Sequence, residues 1–279
     1  MMIAATMAAA EPLLAVERLS VRFPGAAGSA AVNDVSFTLE QGAILGVVGE
    51  SGAGKSTLGL ALSGLIDSDG AELSGSIRLA DNELTCLTDD QLCHIRGREI
   101  GMIFQDPIGS LDPSMPVVDQ VAETIHLHTH AGRREARRQA RRQLADAGVG
   151  EETLAVAPYA HQLSGGLCQR VMIAAALAAQ PSLLIADEPT SSLDVTLQAQ
   201  ILAMLRKEQR RRGLAVIFIS HDLALVSKFA DRMMVMRHGK VVEMGEAETV
   251  FSNPRHPYTR ELVFAWSWES VQGEAVAPA

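Results

Sequence analysis

The chain has 279 residues, 47% apolar and 20% charged, enough for a sizeable core in one large domain or a domain carrying an inserted subdomain. A formal net charge of −9 argues against general nucleic-acid binding. Three cysteines (Cys86, Cys93 and Cys168), none in a Cys-x2-Cys pair, point away from a disulfide framework or a zinc site and fit a reducing cytoplasm.

The first twelve residues, MMIAATMAAAEP, lack a basic n-region, so they do not read as a signal peptide. Leu14 to Phe23 alternates apolar and polar residues, as a half-buried strand does. Pro24 to Ala31 is a small-residue turn, and Val32 to Leu39 alternates again. These two strands predict an antiparallel β-layer, and Phe23 at its edge is placed either to stack on a base or to pack in the core. An apolar run, Ile44 to Val48, then leads into Gly49-Glu50-Ser51-Gly52-Ala53-Gly54-Lys55-Ser56-Thr57, followed by a helical run to Leu65. This is the Gly-x4-Gly-Lys-Ser/Thr phosphate loop in its strand–loop–helix context. Backbone N–H groups and the helix N-terminus would cradle phosphates, Lys55 would reach the β- and γ-phosphates, and Ser56 would hold Mg²⁺. The chain is therefore expected to bind a nucleoside triphosphate.

Ser74 to Leu79 and Glu99 to Gln105 read as further strands. From Pro107 to about Ala179 helical patterns take over, most plainly Arg133 to Gly148, which predicts an inserted helical subdomain. Strands resume at Ser182 to Asp187, Ala215 to Ser220 and Arg232 to Met236, separated by helical stretches at Thr196 to Arg211 and Leu223 to Phe229. Such alternation predicts an α/β fold with a mostly parallel sheet covered on both faces. The longest apolar run, Val171 to Ala186, is broken by Gln180 and Pro181 and is too short to span a bilayer. Gln272 to Ala279 reads as a frayed tail.

Two features carry chemistry beyond the loop. Leu183 to Ile185 leads through Ala186 to Asp187-Glu188, an apolar strand ending in two carboxylates. Asp187 is the metal carboxylate, opposite Ser56, and Glu188 is the candidate general base for an attacking water. Ser164-Gly165-Gly166 at the start of a helical run is a second anion-binding nest. One triphosphate cannot fill two nests on one compact domain unless another subunit shares it. The triplet His126-x-His128-x-His130, with no carboxylate or cysteine nearby, reads as surface histidines rather than a metal site. The arginine-rich run Arg133 to Arg142 reads as a solvated helix face, with an anionic lipid surface or a partner as the alternative.

Leu163-Ser164-Gly165-Gly166 between a phosphate loop and an Asp-Glu strand resembles the signature of ATP-binding cassette proteins. Three further stretches match the family: Gln105 after Ile103-Phe104 its glutamine loop, Ser191-Ser192-Leu193-Asp194 its aspartate loop, and His221 its switch histidine. The resemblance runs from about Leu14 to Glu246. It implies a P-loop ATPase with an antiparallel β-subdomain and an inserted helical signalling subdomain. The divisions expected are 1–106 with 182–250 as the nucleotide-binding core, 107–181 as the insert, and 251–279 as a C-terminal extension. It also implies roles: Gln105 senses Mg²⁺ and the γ-phosphate, Asp194 lies at the nucleotide interface, and His221 holds the γ-phosphate and water in register with Glu188.

Phe104-Gln105-Asp106-Pro107, Ser110-Leu111-Asp112-Pro113, Asp187-Glu188-Pro189-Thr190 and His256-Pro257-Tyr258-Thr259 narrow the resemblance to oligopeptide, dipeptide and nickel importer ATPases. That implies ATP and Mg²⁺ as ligands, with uptake of peptides, nickel or metal chelates as the work done. The implied partners are a second cassette (a copy or a sister protein), two permease subunits and an extracytoplasmic solute-binding protein, with no nucleic acid. The implied place is the cytoplasmic face of the bacterial inner membrane, held there through the permeases. Longer relatives carry a cysteine-rich extension that can hold an iron–sulfur cluster, but no cysteine follows Cys168, so no cluster is expected. Leu167-Cys168 departs from the usual signature and is expected to tune the interface. The tail also lacks a proline often found after Leu262, which leaves its docking open. The alternatives are a soluble cassette protein acting in translation or DNA repair, and a GTP-dependent switch. The first usually carries two cassettes, and the second needs an Asn-Lys-x-Asp that is absent.

Overall fold

The computed structural model describes residues 11–24, 30–66, 70–191 and 193–274, with side chains described as far as Trp266. In chain order, β1 (Leu14–Arg22), β2 (Val32–Leu39) and β3 (Ile44–Val48) precede α1 (Lys55–Leu62), β4 (Glu72–Leu79), β5 (Asn82–Glu83), α2 (Asp89–Ile95) and β6 (Ile100–Ile103). Four helices follow: α3 (Val117–His128), α4 (Arg133–Asp146), α5 (Glu151–Val156) and α6 (Gly165–Leu177). The chain then returns through β7 (Leu183–Asp187), α7 (Val195–Arg212), β8 (Ala215–Ile219), α8 (Leu223–Phe229), β9 (Arg232–Arg237), β10 (Lys240–Glu246), α9 (Ala247–Ser252) and α10 (Pro257–Glu274).

Strands β3, β7 and β8 are buried at every residue, which is why their sequences read as unbroken apolar runs. They lie in a six-stranded sheet ordered β10-β9-β3-β8-β7-β6, parallel except for the β10 edge. Alternate residues point to opposite faces. Leu45, Val47, Ile185 and Ile217 join the core shared with α1 and the antiparallel sheet β2-β1-β4-β5, whereas Ile44, Leu184 and Phe218 join the core under α6, α7 and α8. Because β8 lies between β3 and β7, the C-terminal ends of β3, β8, β7 and β6 stand side by side on one rim. Ligands of open α/β sheets bind at such a rim.

The helices of the 107–181 stretch surround a separate apolar cluster that includes Val121, Ile125, Ala140, Leu144 and Val171. On α4 the buried set is Ala136, Ala140 and Leu144, at i, i+4 and i+8, so the arginines between them fall on the outer side. Arg137 pairs with Asp119 at 2.9 Å, Arg138 with Glu135, and Arg141 with Glu151. That face is solvated and partly ion-paired, as its composition indicates.

The structure differs from the sequence reading at four places. Lys240–Glu246 is an edge strand, joined to β9 by a two-residue turn in which His238 and Gly239 have φ of 48° and 78°. Two positive φ values in succession make the hairpin turn that suits strand twist. Asp89–Ile95 is a helix started by a Thr88–Gln91 capping box. Gln272 to Glu274 continue α10 rather than fray, while 275–279 lie outside the described residues. Cys168 is fully buried in the helical cluster, its thiol 3.3 Å from the Ala160 carbonyl, so it faces inward and not toward an interface. Most of the N-terminal stretch read as lacking a leader, residues 1–10, and part of the Pro24 to Ala31 turn, 25–29, also lie outside the described residues. Among the described residues no helix is long and apolar enough to cross a membrane.

Candidate nucleotide site

The loop from Gly49 to Gly54 joins β3 to α1, and its shape depends on two glycines. Gly49 has φ 152° and Gly54 has φ 97°. A Cβ at Gly49 would lie 2.2 Å from the Met236 carbonyl oxygen, and one at Gly54 would lie 2.1 Å from that of Ala31. Backbone conformation and close approach both demand glycine there. Gly52, at the tip, has nothing within 4 Å of a Cβ position, so the loop is open on that side.

Lys55 opens α1 and is buried, its ammonium donating to the carbonyls of Gly49 at 2.7 Å and Glu50 at 2.9 Å. Burial pushes its pKa down, opposed by the nearby carboxylates of Glu188, Asp187 and Glu50. A desolvated cation whose partners are neutral carbonyls is ready to exchange them for phosphate oxygens. Lys55→Ala is expected to weaken ATP binding about tenfold or more, since a charge-assisted contact is lost. Titration with a fluorescent ATP analogue measures it, and unchanged affinity would exclude Lys55 from phosphate binding.

Asp187 ends β7 and is 5% exposed. Burial raises its carboxyl pKa, against the hydrogen bond from Ser56, and its Oδ1 is buried without a partner. An orphaned carboxylate oxygen beside a hydroxyl fits a hydrated divalent cation, which prefers oxygen ligands and retains several waters. Glu188, the next residue, has φ 47°, a left-handed conformation uncommon for a non-glycine residue. Its N–H donates to the Ile219 carbonyl at 3.0 Å, tying the turn after β7 to the end of β8. Its Oε2 accepts from Gln105 Nε2 at 3.2 Å and lies 3.4 Å from His221 Nδ1. Gln105 follows β6 and His221 follows β8, so strand order brings all three together.

Phe23, just past β1, is 41% exposed and not a core residue. Ser51 and Ser56 are exposed, Ala53 is buried and Thr57 is half-buried within α1. Ser164 is the N-cap of α6, its hydroxyl accepting from the Leu167 N–H at 3.4 Å, and Ser164 and Gly165 are exposed. Among the described residues no hydrogen bond joins Ser164, Gly165 or Gly166 to the loop Gly49–Thr57. Asp194 caps α7 through the Leu197 N–H at 2.9 Å, and Ser192 of the same stretch lies outside the described residues. The histidine triplet does not converge: His126 Nδ1 is 2.9 Å from the Ala131 carbonyl, and no group of three metal-ligating side chains occurs among the described residues. One contact was not foreseen, that of Tyr258 with the loop at Glu50.

Cys86 and Cys93 are exposed, whereas Cys168 is buried and its thiol pKa is pushed up by burial. A buried, protonated thiol is inert. Replacing all three by Ser is expected to leave ATPase activity within about twofold, because a hydroxyl in place of the Cys168 thiol can keep donating toward Ala160. Purified protein is expected to show no iron–sulfur absorbance. Stoichiometric iron held by these thiols would overturn that expectation.

The family model described as "ABC transporter" matches residues 32–191, which contain the phosphate loop, Gln105, Ser164 and the Asp187-Glu188 pair. The glutathione import ATP-binding protein GsiA of Escherichia coli K12 is 45% identical over 260 residues, covering 91% of this chain and 42% of that protein. GsiA of Shigella flexneri is 44% identical over the same length. The chain therefore spans about two-fifths of these relatives (42%). Among solved structures, the dimeric cassette MJ0796 in a post-hydrolysis state with ADP and Pi has a TM-score of 0.76 at 26% identity, covering 84% of this chain and 98% of that one.

Proposed function

The chain belongs to the ABC transporter family, and from that premise we propose that it is an ATPase that powers a bacterial importer of small peptides. The observation that carries the reading is the convergence of Gln105 and His221 on Glu188, one residue past the buried Asp187. In phosphoryl transfer to water the protein mainly positions groups and stabilises charge. The loop residues Gly49 to Thr57 hold the phosphates and Phe23 stacks on the base. Asp187, Ser56 and Gln105 would hold Mg²⁺, and the bound ion would supply positive charge against the charge of the phosphates. Glu188 takes the proton from the attacking water, oriented by His221.

Ser164, Gly165 and Gly166, exposed at the start of α6, close on the nucleotide of a second cassette, with Asp194 at the same interface. The division 1–106 with 182–250, 107–181 and 251–279 then has a purpose. The core binds ATP, the helical insert passes closure to two permease subunits, and the last segment braces the core. The chain works at the cytoplasmic face of the inner membrane, held by its permeases, with a solute-binding protein supplying cargo. Similarity to glutathione import proteins favours a short peptide over nickel or a metal chelate.

ATP-driven uptake into vesicles carrying the permeases tests this, with labelled glutathione, a dipeptide and a nickel chelate in parallel arms. Peptide uptake that stops when this chain is omitted is expected. Uptake of nickel alone would reassign the cargo. Co-purification with ribosomes and no membrane subunit would overturn the importer reading.

A further inference from the structure

Tyr258 is 208 residues away from Glu50 in sequence, yet its hydroxyl accepts a hydrogen bond from the Glu50 backbone N–H at 3.1 Å. It is 1% exposed and sits in the core beneath α8 and α9. Several contacts fix it there. The Arg237 guanidinium lies over its ring, 4.5 Å from the centroid. Pro257 begins α10 with a pre-set φ, and His256 Nδ1 accepts from the Tyr258 N–H at 3.2 Å. Glu243 on β10 accepts from the N–H groups of Arg255 at 2.8 Å and His256 at 3.0 Å. The corner that carries the tyrosine is thus bolted to the β9–β10 hairpin, and the carbonyl of Met236 on β9 is the atom against which Gly49 packs.

We infer that Tyr258 is a positioning residue for the phosphate loop, its hydroxyl holding the first limb in place while Lys55 exchanges the loop's carbonyls for phosphate. Three side-chain bonds hold that limb without nucleotide, two from Lys55 and one from Tyr258. When the ammonium turns to phosphate its two bonds are given up. The bond to Tyr258 does not depend on nucleotide, because the Glu50 N–H is already committed to the phenol oxygen. Burial raises the pKa of this phenol, so it remains a neutral acceptor across the working range. A preformed loop binds its anion without first having to be ordered. The segment containing His256-Pro257-Tyr258-Thr259 then serves ATP binding through the phosphate loop.

The inference rests on this loop being the ATP site, and the test separates the two. Amide exchange at single-residue resolution on the nucleotide-free protein should show the Glu50 N–H protected, although its side chain is exposed. In Tyr258→Phe, which retains the ring and its Arg237 contact, that protection should be lost. The dissociation constant of a fluorescent ATP analogue, and KM for ATP with it, should rise about fivefold, with kcat within about twofold. An unprotected Glu50 amide in the wild-type chain would overturn the inference. So would a variant that melts earlier but binds ATP as tightly as wild type, since that is a structural role alone. A wild-type chain that bound no nucleotide would instead overturn the ATP site, with the exchange measurement still deciding the hydrogen bond.

Discussion

Glu188→Gln is expected to lower ATP turnover about a hundredfold or more while leaving ATP affinity within about twofold. The substitution is nearly isosteric, and the amide oxygen can still accept from Gln105 Nε2, now 3.2 Å from Oε2. The backbone at φ 47° is as tolerable for Gln as for Glu. What is lost is the capacity to take a proton from water. Two chains closed on ATP would then have no way forward, and the dimer should accumulate. Phosphate release measures the first effect, nucleotide titration the second, and a doubled mass in sizing with ATP the third. Loss of ATP binding in this variant would remove Glu188 from the role of base.

The parts of this site were unequally legible. The phosphate loop is contiguous, and its glycines, lysine and serine can be read together because one turn and one helix end build the cradle. The buried strands were equally plain, since β3, β7 and β8 have two apolar faces and their sequences follow. Gln105, Glu188 and His221 form no local pattern. Their meeting depends on the strand order β3-β8-β7-β6, which alternation alone does not fix, and only a family resemblance suggested it.

Edge elements were lost for a different reason. Strand β10 is half-buried along most of its length, so its residues carry no clean two-residue period. The His238-Gly239 turn was its main cue. Helix α2 has no buried residue, and only the Thr88–Gln91 box marks it. Tyr258 shows the remaining limit. A motif of four residues revealed a subgroup, but the 208-residue separation from Glu50 hid what the hydroxyl touches.

The second large effect concerns sharing of the site between chains. Ser164 and Gly165 are exposed, and among the described residues neither they nor Gly166 bonds to the loop of the same chain. Ser164→Arg is expected to abolish hydrolysis by crowding the γ-phosphate pocket of the partner, while ATP binding by the monomer survives. Lys55→Ala disables a chain's own loop but leaves its signature sound. Each variant alone should be inactive. Mixed together, they can form one intact site, made from the loop of the Ser164→Arg chain and the signature of the Lys55→Ala chain. Activity should return to at most about half of wild type if the sites work independently. A signature acting on its own chain's nucleotide predicts no recovery, because every chain then carries its own defect. If this cassette pairs only with a sister protein, one substitution goes into each partner and the arithmetic is unchanged. No activity from the mixture, where the wild-type chain dimerises and hydrolyses ATP under the same conditions, would refute the shared site.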